Sequence, residues 1–283
     1  MVTGQNYMTL KNNNSIQDLS NKVLSIQISL NGLSFCILNT ETNTITTLKH
    51  TTVVKKQTPF ELLDTLKHLF NTEPELHVTF NKVTVVHVNE LSTLVPKALF
   101  NENAIADYLK LNTKILKTDF ITFDELITND CVNVYVPYIN INNYIYETFG
   151  SFEYKHFSTV LIEHILTIEK HSKTPKLYIN VSKTHFEIIA IDSGELILYN
   201  TFEYNTIEDF IYYILFTVEQ LSYNPETIDL IFIGDINKEQ DLFEITYKYI
   251  RNVSFGNRFD SYNYTTLDKP KTSYSDFSLI KSL

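Results

Sequence analysis

The stretch LSIQISLNGLSFCILN at residues 24–39 has a counterpart 153 residues further on, LYINVSKTHFEIIAID at 177–192. Each alternates apolar and polar residues on both sides of a turn, the pattern of a half-buried antiparallel hairpin. Ile26-Gln27-Ile28-Ser29 aligns with Ile179-Asn180-Val181-Ser182, and Leu33, Phe35, Ile37 and Leu38 align with Phe186, Ile188, Ala190 and Ile191. A hairpin written twice constrains the chain to two similar units rather than one large sheet. The order after each copy also repeats. Third strands are expected at 44–54 and 195–203. Helices then open at Thr58-Pro59-Phe60-Glu61 and at Thr206 with Asp209, where a hydroxyl is followed three residues later by an acid, the spacing of a capping box. Interior strands follow at 83–88 and 228–233, each nearly all apolar.

The remaining segments read less regularly. STLVPKALFNENAIADYLKL predicts a loop and then a helix capped by Asn101. Thr122–Glu125 repeats the capping-box spacing and predicts a short helix. Strands are expected at 132–136 and within SFEYKHF. Helices are expected at 139–149 (stopped by Gly150), at 158–171 and at 237–250, with a last short strand at Asn252–Phe255. Residues 1–21 read as a flexible arm, and the polar tail from 257 reads as a second arm lying on the surface. Ile26, Ile28, Phe35, Ile37, Val85, Ile179, Val181, Ile188, Ile231 and Ile233 are the expected core.

The order βββαβα, with crossovers into parallel strands, makes a mixed sheet with helices on both faces. The predicted fold class is therefore α/β, with duplicated ribonuclease-H-like subdomains at 22–157 and 158–283 packed as an actin-like ATPase pair. LSIQISLNGLSFCILN, TLVPKALF and FGSFEYKHFSTVLIEHIL resemble a bacterial family that carries a domain-of-unknown-function label and is itself similar in fold to actin-like ATPases. The resemblance covers the chain from about residue 22. It implies an architecture and no activity.

Actin-like ATPases hold ATP and magnesium on glycine-rich hairpin loops, with an acid on the first strand. The matching loops here are eroded. The first keeps Gly32 and Ser34 as phosphate contacts but has Gln27 and Ser29 where the acid is expected. The second reads Ser182-Lys183-Thr184-His185, with no Gly and no Asp. The stretch after the last interior strand keeps Gly234 alone, followed by Asp235. If a nucleotide binds, Gly32, Ser34, Lys183, Thr184 and Gly234 are the residues expected to line its cleft. No two of the six glycines lie closer than 22 positions, which excludes the dinucleotide-binding and P-loop fingerprints. A two-metal nuclease needs a first-strand carboxylate that neither copy has. His156, His164 and His171 lack the i,i+4 spacing of a helical metal site, so a surface or hydrogen-bonded role is expected of them.

Charge and cysteine usage narrow the partners. A net charge of -10 speaks against general nucleic-acid binding, which draws on Lys and Arg. No apolar run reaches the ~20 residues of a membrane-spanning helix. Cys36 and Cys131 lie in apolar strands without metal spacing and are expected as unpaired thiols, which points to the cytoplasm. Two function classes follow. The first is a non-catalytic interaction or scaffold protein, with an unknown partner or itself, for which the apolar helix IEDFIYYILFTVEQLSY is the favoured contact. The second is a nucleotide-binding ATPase or kinase with atypical phosphate loops. Catalytic residues and metal ligands are not assigned.

Overall fold

The repeated hairpins form separate sheets of the same design. A computed structural model describes residues 20–53, 55–111, 113–266 and 268–283, so most of the expected N-terminal arm lies outside the described residues. In chain order the first half carries β1 (Lys22–Ser29), β2 (Gly32–Asn39), β3 (Thr44–Thr52), α1 (Pro59–Thr72), β4 (Lys82–Val88), β5 (Ser92–Pro96), α2 (Ile105–Lys110), β6 (Thr122–Leu126), β7 (Cys131–Tyr135), α3 (Ile139–Phe149) and β8 (Glu153–His156). Then follow α4 (Phe157–Glu169), β9 (Lys176–Val181), β10 (His185–Asp192), β11 (Glu195–Glu203), α5 (Ile207–Gln220), β12 (Asp229–Gly234), α6 (Asp241–Tyr249), β13 (Asn252–Phe255), β14 (Asn263–Tyr264) and α7 (Phe277–Lys281).

The first sheet runs β14-β3-β2-β1-β4-β8 and the second β11-β10-β9-β12-β13. In both, the third, second and first strands are antiparallel and the fourth and fifth join in parallel. The register repeats as well. Ile26 faces Phe35 and Ile179 faces Ile188, the same pair 153 residues apart. Even the irregularity is shared. The register slips between Ile37 and Leu38 in one copy and between Ala190 and Ile191 in the other. A bulge inserts one residue and re-aims all that follow, so its recurrence at equivalent positions is a stronger sign of duplication than alternation alone.

The chain divides into two units: 1–161 with 260–269 and 278–283, and 162–259 with 270–277. The division falls inside α4. In the first unit, Leu24, Ile26, Ile28, Phe35 and Ile37 pack with Leu62 and Leu66 of α1 and Ile141 and Ile145 of α3. Thr58 caps α1, accepting the N–H of Glu61 while Glu61 accepts the N–H of Thr58. The opposite face buries Val23, Cys36, Leu38 and Ile45 against Leu279 and Ile280. In the second unit, Ile179, Val181, Phe186 and Ile188 pack with Phe210 and Ile214 of α5 and Phe243 of α6. Of the expected core only Ile231 stays half-exposed; the other nine are buried.

Three expectations need correction. Thr122–Glu125 opens no helix, because β6 pairs antiparallel with β7 over Thr122–Leu126. The start of STLVPKALF is strand β5 rather than loop, and Asn101 caps a short 3-10 turn ahead of α2. With β7, these strands make a third sheet, β5-β7-β6, whose face buries Val95, Val132 and Val134 on Leu109 of α2. The tail is not a loose arm either. Tyr264 pairs beside β3, and Leu279 and Ile280 enter the core of the first unit.

Candidate functional site

At the first hairpin the backbone is tightly committed. Gly32 has φ +147°, and a Cβ placed there would lie 2.3 Å from the carbonyl oxygen of Thr51. Its glycine is demanded by the approach of β3. Ser34 Oγ lies 2.9 Å from His50 Nδ1 across the same strand pair. The N–H of Asn31 donates to Ser29 Oγ (3.0 Å), and the N–H of Gln57 donates to the carbonyl of Leu30 (2.8 Å). Gln27, where the fold's ATPases carry an acid, accepts the Ser278 hydroxyl at 2.6 Å through Oε1.

In the second unit, Lys183 and Thr184 are exposed on the turn between β9 and β10. Gly234 ends β12 with φ +89°, and a Cβ there would lie 2.4 Å from the carbonyl oxygen of Val181. The N–H of Gly234 donates to the carbonyl of Tyr274 (2.9 Å), and the N–H of Asp235 donates to the carbonyl of Val181 (2.8 Å). Lys271 Nζ sits 3.6 Å from Asp235 Oδ1. A hollow of about 340 Å³ opens between these loops, bordered by Ser182, Lys183, Asn205, Thr206, Asp235 and Gln240 among others. Thr206 and Asp209 close the N-terminus of α5 with a capping box, whereas Gln240 gives α6 no side-chain cap. The structure thus brings Lys183 together with Asp235. Thr184 and Gly234 are their chain neighbours, and Gly32 and Ser34 belong to the other unit.

These residues are a poor fit for ATP with magnesium. The N–H groups of Ser182, Gly234 and Asp235 already donate within the chain, and an N–H so bonded must give up that bond before it can bind a ligand. Among the described residues, no group of three or more His, Cys, Asp or Glu is placed to hold a metal ion.

A second polar constellation, in the first unit, escaped the sequence reading. Asp124 is buried, and its carboxylate accepts the hydroxyls of Tyr135 (3.0 Å) and Thr159 (2.8 Å) and the backbone N–H of His156 (2.9 Å). Burial pushes its acid up to about 6 against these three donors. His156 Nδ1 accepts the N–H of Ser158 and lies 2.7 Å from its hydroxyl, and Nε2 faces the carbonyl of Asn89 at 3.1 Å. His87 Nε2 meets Asn142 Oδ1 at 2.9 Å. Burial lowers His156 to about 3 and His87 to about 4, so both rings are neutral at pH 7. A hydrogen-bonded Ser158–His156 pair resembles a nucleophile with its base, but Ser158 and His156 are 0% and 1% exposed, which denies a substrate access. The cluster is structural: it fastens β6 to β8 and to the first turn of α4. The one signal for it was Asp124 at an inward position of an alternating run.

Comparison with known proteins places this geometry. A family model described as "Protein of unknown function (DUF3822)" matches residues 11–253. No curated protein matches the chain. Among solved structures, a Bacteroides thetaiotaomicron protein with actin-like ATPase fold and unknown function aligns with a TM-score of 0.71 and 24% identity, over 86% of this chain and 94% of that one. The PilM–PilN type IV pilus biogenesis complex aligns with a TM-score of 0.59 and 10% identity, over 92% and 97%. At such identities the likeness is one of fold, and the fold is that of actin-like ATPases.

Proposed function

We propose that this chain, which belongs to the DUF3822 family, is a non-catalytic interaction protein built on the actin-like ATPase fold. The observation that carries the reading is the internal satisfaction of the loop donors, the N–H of Gly234 on Tyr274 and that of Asp235 on Val181. Phosphoryl transfer depends on a positioned metal and on backbone groups that stabilise the phosphates. Here Gln27 stands at the first-strand acid's place and accepts the Ser278 hydroxyl, and the N–H groups of Ser182, Gly234 and Asp235 in the second unit are bonded within the chain. A neighbour in fold is named for a complex between two proteins, which supports partner binding as a use of this architecture. The partner is a protein rather than a nucleic acid, since the chain carries -10. Among the described residues no helix is long and apolar enough to cross a membrane. With only two cysteines in 283 residues, the chain reads as one of a reducing compartment, the cytoplasm.

The test is thermal melting and phosphate release with the purified chain in millimolar Mg-ATP. The expected result is an unchanged midpoint and no release above the blank. A ligand at ~100 times its Kd stabilises by about 2.7 kcal/mol, which is easily read. Hydrolysis abolished by Lys183→Ala or Asp235→Asn in a folded variant would sink the proposal.

One observation favours a second reading, a nucleotide-binding protein with atypical loops. The 340 Å³ hollow borders Lys183 and the uncapped start of α6. In that reading Lys183, Thr184 and Gly234, with the residues that border the hollow, contact ATP with magnesium. A raised midpoint with ATP and no hydrolysis selects it.

A further inference from the structure

We propose that the outer face of the second unit made by β11 and α5 docks a protein segment rich in arginine. This deepens the interaction-protein reading and rests on it. Four rings form one continuous strip there. Phe202 of β11 stacks on Tyr213 of α5, with centroids 4.6 Å apart and planes 21° apart. Tyr213 meets Tyr212 at 5.3 Å, and Tyr212 stacks on Phe216 at 6.0 Å and 20°. Tyr212 is 60% and Phe216 43% exposed. These two rings contribute little to the core, which α5 fills from its other side with Phe210, Ile211, Ile214 and Val218. Large rings left in water on a helix that already has its buried stripe mark a contact surface.

Charge selects the occupant. No Lys or Arg occurs between Lys183 and Lys238, while the same stretch holds ten Asp and Glu residues. Its formal charge therefore equals the net -10 of the whole chain. Exposed Glu208 lies one turn before Tyr212, and exposed Glu219 one turn after Phe216. A ring face is negative and attracts cations, best those that can lie flat on it. The guanidinium does so while also pairing with carboxylates, which the ammonium of lysine does less well. A second copy of this chain would bring the same negative charge to the contact, and nucleic acid would be repelled.

The experiment is fluorescence anisotropy of the full chain with labelled octa-arginine and octa-lysine peptides in 0.05 and 0.15 M salt. Octa-arginine is expected to bind more tightly than octa-lysine. Tyr212→Ser with Phe216→Ser leaves net charge unchanged and should weaken octa-arginine about tenfold, with secondary structure retained. Tyr212→Ser alone, the fallback if the double variant fails to fold, should weaken it about threefold. Glu208→Gln with Glu219→Gln should weaken binding and flatten its salt dependence. The charge-matched Glu102→Gln with Glu147→Gln should change little. Unchanged binding by the ring variant would reduce the attraction to bulk charge and overturn the proposal. So would equal binding of both peptides, or a concentration-dependent dimer that the ring variant abolishes. None of these outcomes alters the nucleotide test, so a failed docking face and a failed interaction reading are distinguishable.

Discussion

The carboxylate of Asp124 accepts the backbone N–H of His156 at 2.9 Å, tying the small third sheet to the edge strand of the first. Burial holds the acid up near 6 and the rings of His156 and His87 down near 3 and 4. The raised Asp124 stabilises the fold below its unfolded value of 3.8 and loses that contribution as pH rises through about 6. The depressed histidines stabilise above 6.5 and lose their contribution as pH falls toward 4 and 3. Two groups oppose one, so stability should fall on acidification from pH 7 to 4. Asp124→Asn removes the opposing contribution, on the order of 3 kcal/mol from a shift of about two units. Its urea midpoint should therefore decline more steeply with acid than the parent's. Superimposable pH profiles would contradict this assignment.

Gly32→Ala and Gly234→Ala should each destabilise by more than 1 kcal/mol, since both need positive φ and both would press a Cβ into a carbonyl oxygen. Gly150→Ala is the useful contrast. It too has positive φ, but nothing lies within 4 Å of its added Cβ. Chemical denaturation should rank Gly150→Ala mildest, and any other order argues against close approach as the cause.

Deleting Ser278–Leu283 should destabilise the first unit. Leu279 and Ile280 are buried, and their removal exposes about 3–6 kcal/mol of apolar contact. Ser25 also loses Ser282 at 2.6 Å, and Gln27 loses Ser278. Hydrogen exchange should locate the loss on β1 and β2. A truncated chain with parental protection there would show the segment to be dispensable.

Thr58→Ala and Thr206→Ala should each cost about 1 kcal/mol by opening a capping box. Thr→Ser at either position should restore most of it, since the accepting hydroxyl is kept. Melting midpoints of the four variants decide.

The two main sheets were legible because their strands alternate cleanly and their helices announce themselves with caps. Both capping boxes form where Thr58-x-x-Glu61 and Thr206-x-x-Asp209 placed them. The third sheet was hidden by Thr122-x-x-Glu125, which has the same spacing. There the period of two is real, with Thr122, Asp124 and Leu126 inward, but two polar members disguise it. Ile231 was misjudged because neighbours on both sides of it in β12, Leu230, Phe232 and Ile233, are buried, so alternation no longer distinguishes the faces. The tail misled through its serines. Ser275, Ser278 and Ser282 are buried and hydrogen-bonded, yet read as solvent-facing. At the candidate site, the residue that occupies the Gly234 amide is Tyr274, forty positions downstream, and no local pattern connects them.

The placement of Leu279 and Ile280 sets an order of events during synthesis. Every strand through β8 has been synthesised by residue 156, but the residues that cover the Cys36 and Ile45 face arrive more than a hundred positions later. At roughly 5–20 residues per second that interval lasts on the order of ten seconds. For that time a nascent chain carries a finished hairpin with one apolar side bare. The half that is translated first is the half that is completed last, so a chaperone engaged with this protein should hold it on the first sheet and release it once residue 280 is free.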